Sequence, residues 1–189
     1  MQAARGASLN PSDTGPVSGD SRRRSTWWLF AVVGAVAYVL DVGTKQWALT
    51  ALADRDISVV GDLLVLHLTH NPGAAFSTGT EFTVVLSCLA IVAVSVVLVL
   101  SLRLASSLWS VGLGLLLGGV GGNLTDRIVR EPGPLRGHVI DWLMLPHWPV
   151  FNIADMCIIG AAGVIIIQSM RGVTLRGERI PPTTDSSKT

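Results

Sequence analysis

Long apolar runs alternate with short polar connections along this chain, and the run lengths indicate what they are. Residues 82–102 carry no charged side chain over 21 positions. A helix rising about 1.5 Å per residue can cross a hydrocarbon core about 30 Å thick with that many residues. Residues 27–40 form a second uninterrupted apolar run, residues 104–122 a third beyond a turn at Arg103, and residues 150–170 a fourth ending before Arg171. The pattern predicts a mainly α membrane protein with four transmembrane helices. Between the first two runs, residues 57–60 and 63–69 are short and β-rich and are separated by Gly61 and Asp62, which predicts a small hairpin outside the bilayer.

The segment before Trp27 is rich in Ser, Gly, Pro and Arg, with too little apolar surface to offset the entropy of ordering. Residues 1–26 therefore read as a disordered tail, 27–170 as the membrane domain and 171–189 as a second tail. Arg22, Arg23 and Arg24 ahead of an apolar run also have the form of a secretory signal. Against that reading, Asp41 and Lys45 stand where a small-residue cleavage site belongs, and further spans follow. With both ends cytoplasmic, Arg5, Arg22, Arg23, Arg24, Arg103, Arg171, Arg176, Arg179 and Lys188 lie inside, and only Lys45, Arg55, Arg127, Arg130 and Arg136 lie outside. That asymmetry sets the expected orientation. Trp47, Trp142 and Trp148 are then expected at the outer interface and Trp27 and Trp28 at the inner one. Gly114, Gly118 and Gly122 recur every four residues in the third span, a stripe along which another helix can pack closely.

Composition narrows the function classes. Of 189 residues, 49% are hydrophobic and 14% charged, so lipid must replace water around much of the surface. A net charge of +1 gives no basic field for nucleic acid. Cys88 and Cys157 lie in apolar runs without metal-ligand or disulfide spacing.

The chemistry-bearing residues are acids that the predicted topology brings to one depth. Asp41 ends the first span, Asp126 follows the third, Asp141 lies in the outer loop and Asp155 begins the fourth. Asn-x-x-Asp occurs twice, as Asn123 with Asp126 and Asn152 with Asp155, and i,i+3 spacing would set each amide beside its carboxylate. Asp41 and Lys45 have the i,i+4 spacing of a helix ion pair. Two carboxylates at a partly dehydrated site can hydrolyse an amide, since both cannot ionise and one proton is shared; one would then be base toward water and the other acid toward the amide. A Ser/Lys peptidase lacks a free lysine, since Lys45 is expected to pair with Asp41 and Lys188 lies in the tail. His67, His70, His138 and His147 form no HExxH pattern, so no metal site is expected. A proton-coupled transporter would want acids deep in the bilayer and an internal repeat. A scaffold protein would explain the glycine stripe but not the acids.

Five segments, DVGTK at 41–45, NPGAAF at 71–76, GGVGGNLTDR at 118–127, VIDW at 139–142 and FNIAD at 151–155, together resemble lipoprotein signal peptidase, also called signal peptidase II. The resemblance covers residues 27 to about 170. It implies a metal- and cofactor-free aspartyl peptidase of the bacterial cytoplasmic membrane. Its substrates would be diacylglyceryl-modified prolipoproteins, cut before the lipidated cysteine by a monomer among membrane lipids. It places the catalytic pair on Asp141 and Asp155, and site-lining or substrate-positioning roles on Asn71, Asn123, Arg127 and Asn152. Asp41, Lys45, Gly73 and Asp126 are expected to support them. It also implies a small extracytoplasmic β-sheet and a loop helix over the substrate. Spacing alone does not select Asp141 over Asp126.

Overall fold

A computed structural model describes residues 19–73 and 81–180. Helix α1 spans Gly19–Ala51, α2 Glu81–Ser101, α3 Ser107–Val129 and α4 Ile153–Met170; strands β1 (Ile57–Val60), β2 (Leu64–Asn71) and β3 (Val139–Met144) complete the order α1-β1-β2-α2-α3-β3-α4. Each helix contains a stretch long and apolar enough to cross a membrane. Their outward faces are apolar, with Val39, Leu89, Val99, Ile159 and Ile166 exposed. Such a surface would drive association in water but is the natural one in lipid.

Helix α3 is the hub, because its glycines remove the side chains that would hold neighbours away. A Cβ on Gly118 would lie 2.6 Å from the Gly34 carbonyl oxygen of α1, and one on Gly119 would lie 2.6 Å from the Ala154 carbonyl oxygen of α4. The backbones of α1 and α4 thus approach α3 from two sides, the close packing that small residues permit between membrane helices. The stripe at Gly114, Gly118 and Gly122 faces α1: a Cβ on Gly122 would lie 2.2 Å from Asp41 Oδ2.

Several boundaries move for identifiable reasons. Helix α1 begins at Gly19, not at Trp27, and continues through Asp41 and Lys45 to Ala51. Charged side chains need not end a membrane helix when partners on other helices satisfy them. For the same reason α3 runs through Asn123, Asp126 and Arg127 to Val129, so Asp126 lies inside the span and not beyond it. The expected hairpin is present as antiparallel β1 and β2, and β3 joins the other edge of β2 to give the order β1-β2-β3. Trp142 is buried and meets Trp47 edge-on, with ring centroids 5.7 Å apart. Residues 171–180 are folded against the bundle. Among the described residues there is no helix beyond α1–α4. Residues 1–18, 74–80 and 181–189 lie outside the described residues, and with them Ala74, Ala75 and Phe76 of the NPGAAF segment.

Candidate active site

Strand β3 carries Asp141 into the protein because it is locked on both sides. On one side it pairs with β2, with Thr69 opposite Asp141 and Asn71 opposite Val139. On the other, the Trp142 and Leu143 amides donate to the Phe151 carbonyl (3.0 and 2.9 Å) and the Phe151 amide returns a bond to Leu143 at 2.9 Å. This second set of bonds joins VIDW to FNIAD directly, which is why two aspartates in separate segments arrive together. Asn71 Nδ2 donates to Asp141 Oδ2 at 2.9 Å, while Asn71 Oδ1 accepts the Gly73 amide at 2.8 Å. That turn needs glycine: Gly73 has φ +96°, and a Cβ there would lie 2.7 Å from Leu86 Cδ1.

Asp155 is placed by the start of α4. Asn152 is the N-cap residue of a capping box, its Oδ1 accepting the Asp155 amide at 2.9 Å while Asp155 Oδ2 accepts the Asn152 amide at 3.2 Å. The Asn152 Nδ2 donates to Asp141 Oδ1 at 2.6 Å and to Asn123 Oδ1 at 3.1 Å. One fully buried side chain therefore touches Asp141 and caps the helix turn that holds Asp155. Asn123 completes the frame by donating from Nδ2 to Asp155 Oδ1 at 2.9 Å.

The two carboxylates differ in setting. Asp141 is 2% exposed, and this burial is the main reason its pKa rises to about 6; hydrogen bonds from Asn71 and Asn152 oppose the rise, and the Asp155 charge adds to it. Asp155 is partly exposed and lies in the first turn of α4.

Beneath the pair lies a buried charge cluster. Lys45 and Asp41 are both fully buried, and Lys45 Nζ lies 2.7 Å from Asp41 Oδ2, 2.8 Å from Asp126 Oδ2 and 2.8 Å from Asn123 Oδ1. Asp41 Oδ1 accepts the Ala154 amide at 2.8 Å, tying α1 to the first turn of α4. Asp126 accepts from Arg130 Nε at 2.5 Å and from the Ile140 amide at 3.3 Å. The expected pairing of Asn123 with Asp126 does not occur, because Lys45 and Arg130 take the carboxylate of Asp126 and Asp155 takes the amide of Asn123. Arg127 donates from Nη1 to the Asn123 carbonyl at 3.3 Å, and its buried Nε has no hydrogen-bond partner among the described residues. Arg130 enters this cluster although no motif singles it out; its i,i+4 spacing from Asp126 is the signal that points to it. Among the histidines, His67 Nδ1 lies 2.8 Å from Asp56 Oδ1 in the sheet region.

The fold has known counterparts. A bacterial membrane enzyme structure determined at 1.9 Å resolution matches 75% of this chain and 92% of its own, at 22% identity and TM-score 0.66. A second, at 2.3 Å resolution, matches 80% and 93%, at 21% identity and TM-score 0.64. With the four apolar helices, these show that the molecule has the fold of multi-pass bacterial membrane proteins. A family model described as signal peptidase (SPase) II matches residues 33–171. The lipoprotein signal peptidase of Mycobacterium avium is 41% identical over 160 residues, 84% of this chain and 88% of that protein. That of Mycobacterium tuberculosis is 44% identical over 141 residues, 74% and 70%. That of Mycolicibacterium smegmatis is 44% identical over 145 residues, 76% of this chain and 62% of its own length. The chain belongs to the signal peptidase II family, and is a peptidase of the membrane.

Proposed function

We propose that the chain is an aspartyl endopeptidase that removes signal peptides from diacylglyceryl-modified prolipoproteins, cutting on the N-terminal side of the lipidated cysteine with Asp141 and Asp155. The observation that carries the reading is the placement of Asn152, bonded to Asp141 and capping the turn that presents Asp155. Asp155, bonded to two donors, is the base that takes a proton from water. Asp141, buried and raised toward neutrality, holds the shared proton. As water attacks the scissile carbonyl, that proton bonds the developing oxyanion and then passes to the leaving nitrogen of the cysteine. Asn71 and Asn152 orient Asp141, Asn123 orients Asp155, and Arg127, bonded to the Asn123 carbonyl, helps position the site.

The site lies where the first turn of α4 meets the sheet, so an apolar signal segment can lie along the bundle while its cleavage point reaches the carboxylates. The Lys and Arg distribution supports a chain with both ends cytoplasmic and the site at the extracytoplasmic face. The reading includes action as a monomer, with membrane lipids as its surroundings.

The test is purified protein incubated with a diacylglyceryl-modified precursor in the presence of a chelator. The expected product mass is that of a polypeptide beginning at the lipidated cysteine; an uncut precursor, or a cut elsewhere, would refute the assignment. The pH profile carries further information. The competent form has Asp141 protonated, so kcat/KM is expected to fall as pH rises through about 6, the value burial gives Asp141. Bound substrate excludes more water from the pair, so the same limb in kcat is expected at higher pH.

A further inference from the structure

The end of the bundle remote from the dyad carries a second built surface. Residues 171–180 fold back as a closed turn: Val173 forms a bridge with Arg179, the Thr174 amide donates to the Glu178 carbonyl at 2.9 Å, and the Ile180 amide donates to the Gly172 carbonyl at 2.9 Å. This turn is anchored to the bundle. The Ala105 amide donates to the Leu175 carbonyl at 3.0 Å, Trp109 Nε1 donates to the Val173 carbonyl at 2.9 Å, and Leu175 packs on the apolar cluster of Phe30, Val97, Leu104 and Leu113. The start of α1 reaches the same place through Thr26 Oγ1, which donates to the Leu104 carbonyl at 3.3 Å.

Three separate segments therefore bring Arg24, Arg103, Arg171, Arg176 and Arg179 to one end of the molecule. All five are exposed, and none takes part in an ion pair among the described residues. Glu178 is the one acidic residue in the turn and in the α2–α3 connection. Gathering like charges is unfavourable, and a free tail would disperse them; the hydrogen bonds and the Leu175 anchor hold them in place instead. The same segments expose Trp28 (59%), Leu102 (60%), Met170 (84%) and Ile180 (67%), so the cations sit at the level where hydrocarbon gives way to headgroups. Arginine suits that level because its planar fork binds phosphate through two hydrogen bonds.

We propose that this arginine-rich end, with the folded 171–180 turn as its scaffold, is a binding surface for the headgroups of anionic phospholipids in the leaflet opposite the dyad. It does not depend on the catalytic assignment, since an inactive dyad would leave the surface intact.

The test uses the full chain in nanodiscs of phosphatidylcholine alone or of phosphatidylcholine mixed with phosphatidylglycerol, whose negative surface potential attracts juxtamembrane cations. Thermal unfolding and the phosphatidylglycerol retained in native mass spectrometry are measured for wild type, for Arg103→Gln/Arg176→Gln/Arg179→Gln, and for the corresponding Lys triple variant. Phosphatidylglycerol is expected to raise the wild-type midpoint by several degrees. The Gln variant is expected to lose at least half of that shift and on the order of a hundredfold in retained lipid, and the Lys variant to keep most of both, because about a fivefold change in binding is typical per basic residue at an anionic surface. Cleavage in detergent without anionic lipid should be unchanged in both variants, which separates this surface from the peptidase site. Equal retention by wild type and the Gln variant, or an equal shift from inorganic phosphate added to phosphatidylcholine discs, would overturn the proposal.

Discussion

Replacing either Asp141 or Asp155 by Asn should lower kcat/KM by roughly 10³-fold or more, the scale on which acid–base groups acting as a unit are lost, while the protein stays folded. Asp141→Asn keeps an oxygen for Asn71 or Asn152 but removes the acidic proton that would protonate the leaving nitrogen. Asp155→Asn keeps a side chain able to close the capping box with the Asn152 amide but removes the base. Neither change opens a cavity, so unfolding midpoints in detergent are expected within a few degrees of wild type. Retention of near-full activity by either variant would remove the paired-carboxylate chemistry. The same loss with a collapsed midpoint would identify the residue as structural.

The second large effect lies below the pair. Lys45→Met should destabilise the fold by about 3–5 kcal/mol, the usual consequence of removing one partner of a buried ion pair. Lys45 contacts Asp41, Asp126 and Asn123 together. Without it, Asp41 is left buried with no cation, and Asn123 loses the contact that helps orient it toward Asp155. Adding Asp41→Asn to Lys45→Met is expected to restore part of the stability, because the second change removes the uncompensated charge. A double variant less stable than the single one would show that packing, and not charge, dominates at this position. Thermal unfolding in one detergent, at one pH, is sufficient to compare them.

Much of this architecture is legible in the sequence because lipid imposes simple rules. An uncharged run such as residues 82–102 has few alternatives to crossing the bilayer, and the structure has a helix at Phe82–Ser101 long and apolar enough to do so. The Asp41–Lys45 pair is equally legible, since i,i+4 spacing on a helix leaves the two side chains adjacent. Contacts that depend on tertiary partners are less so. Asn123 and Asp126 have the spacing of neighbours, yet one bonds Asp155 and the other Lys45 and Arg130, because groups on other elements offer opposite charge or a free acceptor. Strand β3 is hidden in a connection of only moderate length. Its Val-Ile-Asp-Trp run becomes a strand because β2 presents an open edge and Phe151 bonds back to Leu143. Residues 171–180 read as a tail by position and polarity, while Leu175 and the Trp109 bond give them a fold.

The electrostatic coupling of the two aspartates can be measured without substrate. Carbon-13 labelling of the aspartate side-chain carboxyls, followed by NMR titration of the detergent-solubilised protein, reports the protonation of Asp141 directly. The predicted midpoint is about 6 in the wild type, moving to lower pH in Asp155→Asn, where the neighbouring negative charge is gone. A midpoint in the ordinary carboxylate range, or one that Asp155→Asn leaves in place, would contradict the paired site.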